Sequence, residues 1–145
     1  MAKLSTRETS PDDKEVLMEI FAKTVPDPDN EYLRNQFEGN LPTKVIELKD
    51  DVIGYYWQMM GSGNDRYVIS PTLMPEHKSK MMKAFVKDLK KQAKSGEGVY
   101  KTLSILVKVD DNDEESKSLL EKEGFTEDAR ATIGGKSQVQ YKYAP

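Results

Sequence analysis

The chain has 145 residues, of which 37% are apolar and 32% charged, with a net charge of −3; that is enough for one packed core beneath a heavily charged surface. The acidic balance argues against a broad basic face for nucleic acid. With no cysteine and a single histidine, His77, the chain has no disulfides, no thiol nucleophile, and neither a thiolate nor a histidine-cluster metal site.

Lys3 to Thr9 reads as a first strand, with Leu4 its one large apolar residue. Ser10-Pro11-Asp12-Asp13 then opens a helix: Ser10 caps, Pro11 suits the first helical position, and the acids favour the positive end of the dipole. Val16, Leu17, Ile20 and Phe21 follow at helical spacing, and Pro26 and Pro28 end the helix. Asn30 caps a second, short helix carrying Tyr32, Leu33 and Phe37, stopped by Gly39 and Pro42. Three strands come next, at Lys44 to Leu48, Val52 to Met60 and Tyr67 to Leu73. Their turns, at Asp50-Asp51 and from Gly61 to Asp65, are short, so the strands are antiparallel neighbours. Pro71 cannot donate a ladder hydrogen bond, so the third of these strands bulges, splits or ends early.

After Pro75, Met81, Met82, Phe85, Val86, Leu89 and Ala93 form a helical stripe that Ser95 and Gly96 close. Leu103, Ile105, Val107 and Val109 make a strand with one well-buried face. Asn112 is placed to cap a further helix, with Glu115 completing a capping box. Leu119 and Leu120 turn inward, and Gly124 takes the left-handed position that folds Phe125 back on the last turn. Ala129 to Ile133 and Gln138 to Tyr143 flank Gly134-Gly135, a hairpin signal. The order β-α-α-β-β-β-α-β-α-β-β defines an α+β fold: a mixed, mostly antiparallel sheet of six or seven strands with about four helices on its faces. One domain over residues 1–145 is expected. No apolar run approaches the roughly 20 residues of a membrane helix. The first ten residues have no apolar core of the kind a secretion signal carries, and a cytoplasmic setting is expected.

Chemistry concentrates around Pro-Glu-His-Lys-Ser-Lys-Met-Met-Lys at 75–83. A helix N-terminus offers unsatisfied N–H groups and partial positive charge to an anion, and Lys78, Lys80 and Lys83 add cations. The same residues also read as an ordinary helix start with a solvated lysine face. His77, the one side chain that titrates near neutrality by default, stands beside this segment. Tyr67 and Ser70, on the preceding strand, are further candidates for relaying a proton through water. Tyr55 and Trp57 alternate with Tyr56 across a strand and read mainly as core. The run Asp110-Asp111-Asn112-Asp113-Glu114-Glu115 lacks the spacing of a calcium loop and reads as an acid-rich helix start. There is no Gly-x-Ser-x-Gly motif, P-loop or dinucleotide fingerprint.

The element order, the segment Leu73-x-Pro75-x-x-Lys78 and the ending Glu121-Lys122-Glu123-Gly124-Phe125 together resemble the GNAT superfamily of N-acetyltransferases. The resemblance implies acetyl-coenzyme A as cofactor. It places the pantetheine arm in a splay between the strands near Leu73 and Leu103 to Val109, beside Met74. The diphosphate would lie on Lys78, Ser79, Lys80, Met81, Met82 and Lys83, with Asn112 at the next helix start. It implies direct transfer to a small-molecule or protein amine, with Tyr67, Ser70 and His77 the available catalytic side chains and no metal. Lys78 stands in the family's Arg/Gln position. Met81 and Lys83 occupy its two glycine positions, Leu120 its tyrosine position and Asp113 its asparagine position. The other reading is a GNAT-like fold that transfers nothing and serves as a binding or assembly module for a protein partner.

Overall fold

The computed structural model describes residues 3–25, 27–96, 98–133 and 135–145. Strand β1 (Leu4–Glu8) leads through a 3₁₀ turn, Pro11–Asp13, into helix α1 (Lys14–Thr24) and then α2 (Glu31–Gly39). Strands β2 (Lys44–Leu48), β3 (Asp51–Met60) and β4 (Asp65–Leu73) precede the long helix α3 (Pro75–Ser95). The chain finishes with β5 (Ser104–Asp110), α4 (Glu114–Lys122), β6 (Thr126–Ile133) and β7 (Lys136–Tyr143). The seven strands form one sheet in the order β1-β2-β3-β4-β5-β7-β6. Every neighbouring pair is antiparallel except β4 and β5, which run parallel because α3 carries the chain back between them.

Strand alternation assigns the apolar side chains to two cores. On one face Tyr56, Val68, Ile105, Val107, Val139 and Tyr141 meet Phe85, Leu89 and Leu120 from α3 and α4. On the other, Tyr55 and Trp57 meet Phe37 of α2 and Leu17, Ile20 and Phe21 of α1. The aromatic rings pack edge to face or tilted there, with Phe21 and Phe37 centroids 4.6 Å apart, and edge-to-face is a geometry their quadrupoles favour. The expected placement of Tyr55 and Trp57 opposite Tyr56 is therefore observed.

Local signals also act as expected at most joints. Asn30 Oδ1 accepts the Leu33 N–H at 3.1 Å to cap α2. Gly124 has φ +92, and the Phe125 N–H reaches back to the Leu120 carbonyl at 2.9 Å. At the start of α1 the cap works in reverse. The Asp13 carboxylate accepts from the Ser10 N–H at 2.7 Å and takes a two-pronged bond from Arg7 of β1, both prongs 2.8 Å. These hydrogen bonds, Arg7's first and then Ser10's, hold the Asp13 pKa down at about 2. Several boundaries shift by one to three residues: β4 starts at Asp65, not Tyr67, and β7 at Lys136, not Gln138. The cap of α4 is Asp113, not Asn112, and β6 starts at Thr126, not Ala129. Pro26 and Gly134 lie outside the described residues.

Candidate functional site

Everything at the site follows from a break in β4. Thr72 pairs with Tyr55, and Ile69 pairs with Trp57, so Ser70 and Pro71 together stand opposite Tyr56. Pro71 brings no N–H to the ladder, and Ser70 sits at φ +51, a left-handed conformation that bends the strand. The Thr72 hydroxyl donates to the Ser70 carbonyl at 2.9 Å and braces the bend. The parallel ladder with β5 runs from Asp65 opposite Ser104 to Ile69 opposite Lys108 and goes no further. β5 stays in the sheet, because Val109 and Asp110 still pair with Val139 and Gln138 of β7. It is thus β4 that leaves, and a wedge opens between the strands.

A cleft of about 300 Å³ fills this wedge. Ser70, Pro71, Thr72 and Leu73 form one wall, and Val109 and Asp110 the other. Lys23 and Thr24 at the end of α1, Pro75 and Lys78 of α3, and Asp113 close its ends. A wider, shallower groove shares Thr24, Lys78, Asp110 and Asp113 with it and continues along Asp111, Asn112, Lys136 and Ser137. Below the cleft, Pro71 and Val109 also line a small cavity of about 10 Å³. Into it faces Ser116, only 2% exposed, whose hydroxyl has no hydrogen-bond partner.

The segment expected to cradle a diphosphate is not a loop. Residues 78–83 lie inside α3, which runs unbroken from Pro75 to Ser95. Pro75 has the φ a first helical residue needs, and no glycine interrupts the helix before Gly96. The amides of the first turn are consumed locally: the His77 and Lys78 N–H groups both donate to the Met74 carbonyl, at 2.9 and 3.1 Å. The Met74 N–H itself donates to Ile53 of β3 at 2.8 Å. Lys78 turns across the mouth of the wedge to the Asp113 carboxylate, 3.2 Å away. Burial pushes the Asp113 pKa up, but the hydrogen bond from the Ser116 N–H and the Lys78 charge outweigh it and the net displacement is downward. Asp113 also caps α4 through the Ser116 N–H at 3.2 Å.

The residues marked in the sequence thus separate. Ser70, Leu73 and Lys78 line the cleft. Met74 is turned to the opposite core with Tyr55, Met82 is buried, and Met81 packs partly buried on the α3 core. Ser79, Lys80 and Lys83 are exposed, and Asn112 lies on the outer groove. Tyr67 lies three residues before the bend, between Met59 and Leu106, and His77 sits in the first turn of α3. Neither borders the cleft. The sequence analysis did not single out Thr24, Thr72 or Ser116, and it placed Asp110 only in an acid-rich helix start. Ser116 had one available signal: it precedes Leu120 by one helical turn, on the same face.

No family model matches the sequence, and no curated protein is significantly similar to it. Solved structures are similar over nearly the whole chain. Ard1 from Thermoplasma volcanium aligns with TM-score 0.62 at 17% identity, covering 97% of this chain and 96% of that one. Arabidopsis thaliana Naa50, in complex with the bisubstrate analogue CoA-Ac-MVNAL, gives 0.63 at 13% identity, with 98% and 99% covered. RimL, a ribosomal alpha-N-protein acetyltransferase in complex with coenzyme A, gives 0.69 at 13% identity, with 98% and 94% covered. The chain therefore has the GNAT fold: among the described residues, a seven-stranded, mostly antiparallel sheet with four α-helices. No helix among the described residues is long and apolar enough to cross a membrane.

Proposed function

We propose that the protein is an N-acyltransferase that holds an acyl thioester of pantetheine in the wedge between β4 and β5 and passes the acyl group directly to an amine. The observation that carries this reading is the bend at Ser70 and Pro71. It opens two strand edges toward one narrow slot, and an extended arm with two amide groups pairs with strand edges as another strand would. The relatives with bound coenzyme A or a coenzyme A conjugate share the fold. The thioester would supply an activated acyl group.

The residues of the chain would do the rest. Pro71, Leu73 and Val109 give the slot an apolar strip against which a bound arm would displace water and strengthen any polarisation of the carbonyl by backbone groups. Asp110, at the open end of β5, is placed to hold an ammonium group before it loses its proton. Positioning and backbone polarisation dominate such a reaction, so a leucine at 120 lowers the rate without removing the mechanism. The acceptor is a small-molecule amine or a protein amine, and a cysteine-free chain suits a cytoplasmic setting.

The test is release of free thiol from acetyl-coenzyme A and from S-acetylpantetheine in the presence of an amine panel, with thermal shift as a binding readout. Thr24→Trp, which fills the slot from a half-buried position at its end, should abolish both signals with the urea midpoint retained. If millimolar thioester gives neither thiol release nor thermal shift, acyl transfer is refuted. The second reading, a protein-binding module, would then stand, favoured by the unbroken helical start of α3.

A further inference from the structure

We infer that this wedge selects its donor by the pantetheine arm alone: the substrate class is acyl thioesters of pantetheine-type thiols, and a nucleotide on the far end of the arm is not recognised. The inference rests on the acyl-transfer reading. It comes from a mismatch between the two halves of the site. The slot half is open, whereas the diphosphate half has been built over by helix.

A diphosphate needs several N–H donors converging on one point. In the first turn of α3, Pro75 has no N–H, and His77 and Lys78 give theirs to Met74. That leaves Glu76 as the one amide of this turn, among the described residues, not drawn into the helix's own bonds, and it carries an acidic side chain. From Ser79 onward the amides donate to the carbonyl four residues earlier. The cations do not compensate. Lys80 and Lys83 are exposed on the outer side of α3, and Lys78 is already paired with Asp113. The groove beyond the wedge brings Asp110, Asp111, which is paired with Lys117 and Arg130, and one further lysine, Lys136, so an incoming diphosphate would meet a mixed, largely self-paired surface and not a converging set of donors.

In the reaction the amine nitrogen forms a bond to the acyl carbon and the carbon–sulfur bond breaks. The ammonium first loses one proton to water to free the attacking lone pair, and the sulfur leaves as the thiol carrying the second proton, the one that the nitrogen gives up as the amide forms. None of these events involves the nucleotide, so its loss leaves the chemistry intact.

The experiment compares acetyl-coenzyme A with S-acetylpantetheine as donors, with adenosine 3′,5′-bisphosphate as competitor. The expected KM values lie within about threefold of each other, whereas two charge-assisted hydrogen bonds to a recognised diphosphate would separate them by about 100-fold or more. The bisphosphate should not inhibit, and KM for acetyl-coenzyme A should not rise with salt. Lys78→Ala should leave the ratio of the two KM values unchanged. A strong preference for acetyl-coenzyme A, competitive inhibition by the bisphosphate, or a Lys78→Ala loss confined to acetyl-coenzyme A overturns the inference and leaves acyl transfer standing. If neither thioester reacts or binds, both fall together.

Discussion

Asp113 joins the stability of the fold to the shape of the site, and two substitutions separate its roles. Its carboxylate caps α4 through the Ser116 N–H and pairs with Lys78 across the mouth of the wedge. Removing a helix cap costs about 1 kcal/mol. The ion pair contributes no more than ~0.5 kcal/mol, because its side chains are 36% and 23% exposed. Asp113→Ala loses both and should cost about 1.5 kcal/mol. Asp113→Asn keeps an equally good cap and should cost only ~0.5 kcal/mol. The net downward displacement of the Asp113 pKa fixes the sign of the pH effect. The charged form stabilises the fold above the unfolded carboxylate value of 3.8, and that contribution disappears as pH falls through the lower folded value. Urea midpoints at constant m, taken near pH 7 and near pH 3, should therefore show the gap between wild type and Asp113→Asn closing in acid. Equal losses for the asparagine and alanine variants, or a gap that persists in acid, would refute this division of roles. Asp113→Asn also releases Lys78, so the KM ratio should move a few-fold toward acetyl-coenzyme A. An unchanged ratio would assign the exclusion of the diphosphate to the helical start of α3 alone.

Arg7 and Asp13 tie β1 to α1. The fall of the Asp13 pKa from 3.8 to about 2 corresponds to ~2 kcal/mol, cut to roughly 1–1.5 kcal/mol because Arg7 is 40% exposed. This contribution is present above about pH 4 and lost as pH drops toward 2. Asp13→Asn should be less stable by that amount near neutrality and should match wild type in strong acid, and an acid-independent gap would contradict the assignment. At Gly54 a Cβ would overlap the Thr72 carbonyl oxygen and come within 2.8 Å of the Leu73 side chain. Gly54→Ala should therefore cost about 2–3 kcal/mol and displace a wall of the wedge. Wild-type stability in denaturant would show that the wall yields freely. Ser116→Ala removes a buried hydroxyl that has no partner, so it should raise the melting temperature or leave it alone. A loss above about 1 kcal/mol would mean that the hydroxyl is satisfied in solution.

The elements could be read because their signals are local. Caps, turn glycines and prolines, and a period of 2 or 3.6 each act within a few residues, and together they gave every strand and helix in its observed order. The end of α4 is such a case, where Gly124 and Phe125 behave as their spacing requires. Adjacent caps were harder: Asn112 and Asp113 cap comparably by composition. Lys78 explains the outcome, since its charge favours a carboxylate at the position it reaches, and that partner lies 35 residues away. The site was legible only where the strand itself encodes it. Pro71 announced a break in the ladder, and the break is what opens the cleft. Tyr67 lies away from the cleft because pairing to β5, invisible before the topology is known, holds it in the intact part of the sheet. The resemblance assigns the run from Lys78 to Lys83 to a diphosphate, although its own residues contain nothing that stops a helix.

The two halves of the site come from different physical devices, which is why one persists without the other. The wedge depends on a proline and a left-handed serine inside β4, and the packing of Leu73, Val68 and Tyr56 against α3 holds that bend in place. Any sequence that keeps this packing keeps the slot, whatever follows Pro75. A phosphate cradle depends instead on the chain not being helical just beyond that proline, and glycines are what secure this. Methionine and lysine at 81 and 83 favour the helix where glycine would weaken it, and Met81 adds its side chain to the α3 core. The same residues thus lengthen and anchor the helix that braces the slot. If the donor is selected by its pantetheine arm, that selectivity and the retained wedge follow from one local preference for helix over loop.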